Sequence, residues 1–185
     1  EANIFENSWV DGQSTAIVFK SANQDGHCDW CVTEDIIFRY NLVKNAPKGI
    51  QVIGPSENYA GGRTQTNKRI TIEQNVLENI GNDLGFPGYW QFWPIQLYRG
   101  GEDITVDHNT HYSGANPLAM IMFSGSEWFH RLKITNNIFR HGDYGLNGSI
   151  DSHPGSWTTP AQGANILNAY ASSWTFAGNL ISRDA

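Results

Sequence analysis

The chain has 185 residues, a formal net charge of −6 at neutral pH and 39% hydrophobic residues. No basic stripe interrupts that acidic balance, which excludes nucleic acid as a partner, and no apolar run approaches a membrane span. Neither a signal peptide nor a Pro/Gly/Ser-rich linker is visible, so residues 1–185 read as one domain of a mature or trimmed chain.

Ala2-Asn3-Ile4-Phe5-Glu6-Asn7 opens the chain, followed by the apolar stretch Ala16–Phe19. Ile36-Ile37-Phe38-Arg39-Tyr40-Asn41-Leu42-Val43-Lys44-Asn45 then sets a template: apolar-x-apolar-x-x-Asn-apolar-apolar-x-Asn. The template returns in Ile70–Asn79, Ile104–His111, Leu132–Phe139 and Trp174–Ile181. Between its copies lie further apolar stretches at Gly49–Ile53, Pro94–Tyr98, Ala119–Phe123 and Asn165–Leu167, so each repeat carries about three short strands.

Alternation fixes the faces. Ile36/Phe38, Ile70/Ile72, Ile104/Val106, Leu132/Ile134 and Trp174/Phe176 form an inner apolar face. Residues such as Thr71/Glu73 and Thr105/Asp107 face solvent, and Arg39 falls beside Glu73. The asparagine columns (Asn3, Asn41, Asn75, Asn109, Asn137, Asn179, and a second set Asn7, Asn45, Asn79) mark turns, because asparagine tolerates left-handed angles. Strands about 4.8 Å apart would let these amides bond one another as ladders. A repeat unable to bury its inner face alone must stack on its neighbours.

The Ile-x-Ile-x-x-Asn-x-Phe pattern resembles the repeats of the pectate-lyase-like superfamily, and the likeness covers essentially the whole chain. It implies an all-β fold: a single-stranded right-handed parallel β-helix, a solenoid of about five to six coils with Asn ladders. It implies no particular activity, since that superfamily holds lyases, hydrolases, epimerases, adhesins and tailspikes. Val106-Asp107-His108 is similar to a pectate lyase motif, but the Arg-x-Pro-x-x-Arg run that accompanies it is missing. The polygalacturonase set is also absent. The chain begins at an Asn-turn position, ends six residues after the equivalent Asn179, and shows no capping helix. A fragment of a longer β-helix, an end covered by another chain, or a subunit that associates end to end are the expectations.

Cys28 and Cys31 lie in Asp25-Gly26-His27-Cys28-Asp29-Trp30-Cys31. Val32 excludes a c-type haem site, no second Cys pair supports zinc, and no βαβ setting supports a redox dithiol. A local disulfide is the best account, and it points to an extracellular or periplasmic location. No metal site or cofactor is called for, with calcium left open.

His108 and His111 form a His-x-x-His pair, but His111 falls in an inward column with Val43, Leu77 and Phe139, and His108 falls in the turn column. Both read as structural. Weak catalytic candidates are Arg99, Asp83, Glu102 and Asp103, although Glu34-Asp35 and Glu102-Asp103 precede equivalent strands and also suit a turn. The aromatic loop Phe86–Pro94 and the strand after it offer Tyr89, Trp90, Trp93, Gln96 and Tyr98, joined by Trp128 from another loop. Gln96 above Gln51 suggests a polar groove floor. Flat rings beside Gln and Arg suit sugars, so polysaccharide is the expected partner, bound or processed. The alternative is a structural subunit of an extracellular filament, adhesin or surface assembly. A threonine ice-binding face is rejected, because Lys133 interrupts the column of Thr71, Thr105 and Thr175.

Overall fold

Strands that alternate apolar and polar residues must cover one face, and this chain does so by pairing each strand with its counterpart in the next repeat. The computed structural model describes residues 1–8, 15–22, 26–55, 63–81, 92–112, 117–149 and 163–183. Seventeen strands and one helix, numbered along the chain, are seen there. All strand pairing is parallel, in three sheets.

Sheet one contains β1 (Ile4–Glu6), β4 (Leu42–Ala46), β7 (Val76–Ile80), β10 (Thr110–Tyr112), β14 (Ile138–Arg140) and β17 (Leu180–Ser182), in that order. Sheet two contains β2 (Thr15–Lys20), β5 (Lys48–Ile53), β8 (Trp93–Tyr98), β11 (Ile121–Ser124) and β15 (Leu146–Gly148). Sheet three contains β3 (Glu34–Arg39), β6 (Lys68–Glu73), β9 (Gly101–Asp107), β13 (Leu132–Thr135) and β16 (Trp174–Ala177), with the short β12 (Phe129–His130) pairing beside β13 on β9. Apart from β12 and β13, which share sheet three, consecutive strands thus enter different sheets.

The registers match the template. Ile36 pairs with Ile70 and Ile70 with Ile104; Ile72 pairs with Val106 and Val106 with Ile134. These columns, with Ile50, Val52, Leu77, Ile95, Leu97 and Phe123, form one buried core. Each such side chain contributes roughly 1.5–3 kcal/mol through burial. Arg39 Nη1 lies 3.9 Å from Glu73, the predicted neighbour pair.

The inner asparagines form the expected ladder. Asn41 Nδ2 donates to Asn75 Oδ1 at 3.0 Å, Asn75 to Asn109 at 2.9 Å, and Asn109 to Asn137 at 3.0 Å. Each rung also receives the backbone N–H of the preceding rung, as Asn75 N donates to Asn109 Oδ1. Remaining donors reach carbonyls, among them Asn109 to Ile72 and Asn137 to Val106, so these buried amides are satisfied. The outer ladder runs in the opposite sense: Asn79 donates to Asn45 and Asn45 to Asn7.

The turn geometry corrects one expectation. The left-handed residue is not the inner Asn but the one before it: Tyr40, Gln74, His108 and Asn136 have φ between 50° and 57°. This places the Asn side chain inward, where its amide replaces backbone partners lost at the corner. The outer asparagines are themselves left-handed. A third left-handed column, Asp35, Arg69, Asp103 and Arg131, lies inside the third-sheet segments.

Asn165–Leu167 is not a strand. It belongs to α1 (Ala164–Tyr170), which buries Ile166, Leu167, Ala169 and Tyr170. Those positions share one helical face, so the adjacent apolar pair satisfies a helix as well as a strand. The fifth place in sheet two goes to β15, where Gly148 lets Tyr170 and Ile166 approach: an added Cβ would stand 2.6 Å and 2.8 Å from them. The expectation of no capping helix is therefore corrected, because α1 covers the β15 edge of sheet two and bonds Ser149 O through the Tyr170 hydroxyl at 2.7 Å.

Candidate functional site

The corner between β8 and β9 brings the sequence candidates together. The chain turns at Arg99 and Gly100, with φ of 60° and 71°. A non-glycine residue in this region stores about 1 kcal/mol or more of strain. Its neighbours above and below are glycines by necessity. An ideal Cβ on Gly54 would lie 1.8 Å from Arg99 O, and one on Gly125 would lie 2.7 Å from Arg99 N. Gly54 N–H donates to Tyr98 O at 2.7 Å and Arg99 N–H to Ser124 O at 2.8 Å, which clamps the corner.

Arg99 is half-buried, its guanidinium 4.9 Å from the centre of the Tyr98 ring. It lines a polar cleft of about 90 Å³ together with Glu102, Glu127, Trp128 and His130. The carboxylates are already engaged. Glu127 pairs with Arg63 at 2.9 Å and Glu102 with Arg131 at 3.2 Å. Asp103 takes a two-pronged grip from Arg131 at 2.6 Å and 2.8 Å. That hydrogen bonding holds the Asp103 carboxyl below the usual carboxylate range, against the opposing effect of burial. Arg69 grips Asp35 in the same way. His130 Nδ1 shares a 2.6 Å hydrogen bond with Ser172 Oγ. Arg99 alone among these cations has no carboxylate partner among the described residues.

Three sequence candidates, Arg99, Glu102 and Trp128, therefore share one cleft, with Tyr98 beneath the arginine. Asp103 lies beside Glu102 in β9, tied to Arg131. Asp83, Tyr89 and Trp90 lie outside the described residues. Trp93 is buried, 3% exposed, with Lys48 Nζ 4.9 Å from its ring. Burial also pushes the Lys48 ammonium pKa down.

The expectation of an open polar floor at Gln96 is corrected. Gln96 is only 8% exposed, accepts from Gln51 Nε2 at 2.6 Å and donates to Ser124 Oγ at 3.2 Å. Its polar atoms are consumed by this row of side chains. Sequence reasoning missed Glu127 and His130, which reach the cleft from a loop and a strand end, and Arg63, which pairs with Glu127. The one available signal was Gly125, a turn residue just ahead of Trp128.

Away from the cleft, His108 is exposed and its Nδ1 lies 2.6 Å from Asp107 Oδ2. Asp107 also accepts from Thr135 and Asn136. Burial raises its pKa, but these hydrogen bonds outweigh it and hold the carboxyl below the ordinary value. His111 is buried as expected, with neither ring nitrogen bonded among the described residues. Cys28 and Cys31 form the expected disulfide, with Cα atoms 5.3 Å apart. Among the described residues no three His, Cys, Asp or Glu side chains converge as metal ligands, and no helix is long and apolar enough to cross a membrane.

Comparison of the chain with protein-family models, with curated proteins and with solved structures finds no match.

Proposed function

We propose that the chain is a right-handed parallel β-helix of the pectate-lyase-like kind, a solenoid of five to six coils, that binds an extracellular acidic polysaccharide at the β8–β9 corner. The observation that carries this reading is the half-buried Arg99, without a carboxylate partner among the described residues, stacked on Tyr98 in a cleft with Trp128. A guanidinium presents a planar fork to a carboxylate, and an aromatic ring offers an apolar face to the ring of a sugar. The cleft has room for one carboxylate or hydroxymethyl group, with the rest of the glycan lying over the surrounding surface.

Binding rather than turnover fits the electrostatics. A general acid needs a raised pKa, whereas Asp103 is lowered and Glu102 and Glu127 are paired with arginines. The Cys28–Cys31 disulfide supports an extracellular or periplasmic location. The order of strands across three parallel sheets supports the solenoid.

The test is a glycan array followed by calorimetry with polygalacturonate, alginate and a neutral glucan. Uronate polymers should bind and the glucan should not. Arg99→Gln and Trp128→Ala should each weaken binding by about 1–2 kcal/mol, roughly five- to thirty-fold. Equal binding of the neutral and acidic polymers, or a silent array, would overturn the reading.

A structural role is the second reading, favoured by an outward apolar column on sheet one. Ile4, Leu42 and Val76 are paired in register, as are Ile138 and Leu180, and all but Leu42 are well exposed. Light scattering over a hundredfold concentration range tests it: growth in size that Val76→Glu abolishes would favour assembly over glycan binding.

A further inference from the structure

We propose that Glu102, His130 and Ser172 form a nucleophilic triad that cleaves short carboxylic esters, an activity separate from glycan binding and requiring nothing of it.

Strand register brings the three together. Phe129 pairs with Gly101 on one side and bridges Ala171 on the other. Phe129 and Ala171 are buried, so alternation turns the residues after them, His130 and Ser172, outward, and both are exposed. His130 pairs in turn with Glu102. Carboxylate, imidazole and hydroxyl thus occupy successive rungs of one outward column, each about 4.8 Å from the next. Ser172 bonds back toward β12, so the pair is independent of whatever adjoins β16.

The bonding assigns the roles. Ser172 Oγ lies 2.6 Å from His130 Nδ1 but 3.4 Å from Phe129 O. With the ring proton on Nε2, the hydroxyl donates to Nδ1, the arrangement of a nucleophile beside its base. Glu102 lines the cleft with His130, and Arg131 Nη2 fixes its Oε2 at 3.2 Å. Its negative charge favours the imidazolium formed during reaction. Arg99, on the same cleft, supplies positive charge for a developing oxyanion. Ester cleavage suits this set where glycosidic cleavage does not, because the imidazole carries the proton and no carboxylic acid is needed. The small cleft restricts the acyl group to a short chain.

Ser172 Oγ attacks the ester carbonyl carbon as its proton passes to His130 Nδ1. Collapse of the adduct breaks the bond to the alcohol oxygen, which leaves with that proton. Water then gives a proton to Nδ1 and its oxygen to the acyl carbon, and Oγ departs with its proton restored. Ester and water become acid and alcohol.

The whole chain should release p-nitrophenolate from p-nitrophenyl acetate, and a fluorophosphonate should label Ser172, as located by peptide mass mapping. Ser172→Ala and His130→Gln should each lower kcat about a hundredfold without moving the thermal melt. Ser172→Cys should keep the acylation burst and become open to iodoacetamide at that position. Glu102→Gln should lower kcat about tenfold at unchanged KM, with Glu102→Asp restoring most of it. Labelling that is absent or falls elsewhere, hydrolysis by Ser172→Ala or His130→Gln at the parent rate, or a kcat untouched by Glu102→Gln would each overturn the proposal.

Discussion

His111 occupies a column whose register partner is Leu77, and burial pushes its pKa down from 6.5 to about 4. Because the folded value lies below the unfolded one, the unfolded chain takes up a proton first as pH falls. Stability is therefore unaffected above about pH 6.5 and declines from there toward pH 4, by up to roughly 3 kcal/mol if this group acts alone. His111→Leu should flatten that decline: the gap between the urea midpoints at pH 7.5 and pH 4.5 should shrink markedly relative to the parent. An unchanged gap would assign the acid sensitivity to other groups. The buried ladder makes a separate claim. Asn109 accepts two bonds from Asn75 and donates to Asn137 and the Ile72 carbonyl. Replacing it with Leu strands the Asn75 donors in the core, so a loss of about 2–4 kcal/mol is expected in denaturant unfolding. Asn79→Leu, on the outer, part-buried ladder, should cost less than half as much.

At the scale of the element, α1 and β15 depend on each other. Gly148→Ala would place a methyl group 2.6 Å from the Tyr170 ring, and overpacking of this kind costs about 1–3 kcal/mol. The expected result is a lower melting temperature together with faster amide exchange in α1 than in β9. The same pair shows where sequence reading stops. Strands β3, β6, β9 and β13 were legible because one inner face repeats in register. The segment 146–148 holds a single apolar residue, Leu146, too little to reveal a strand. Ile166-Leu167 satisfies two periodicities, and only the space beside Gly148 selects the helix. The candidate site divides similarly. Arg99 and Trp128 stood out by residue type and position. Which carboxylate each arginine takes is set by strand register across a gap of 28 residues, as in the Arg131–Asp103 pair, and nothing local encodes it. Gln96 was read as exposed because alternation gives direction but not cover.

For the molecule as a whole, each strand bonds only its neighbours in adjacent repeats, so stability should be graded along the chain rather than uniform. Hydrogen exchange should be slowest in β6 through β9 and fastest in β1, β2, β16 and β17. A uniform pattern would mean that the molecule opens in a single step. The charged column of Asp35, Arg69, Asp103 and Arg131 should matter little to this gradient. Its side chains are about half exposed, and solvent screening leaves such pairs little influence on stability. Arg69→Gln should accordingly shift the melt only slightly, and less so in 1 M salt.

The ladder carries one more implication. Asn41, Asn75 and Asn109 stand 34 residues apart in both steps, and the span 41–74 supplies β4, β5 and β6, one strand to each sheet. It is thus an interchangeable module whose entry and exit present the same chemistry. Copying residues 41–74 in tandem should lengthen the protein by one rung without a new junction to design. Deleting them should shorten it by one, with Asn3 then meeting Asn75. Evolution can change the length of such a chain by unequal duplication while leaving every interface as it was.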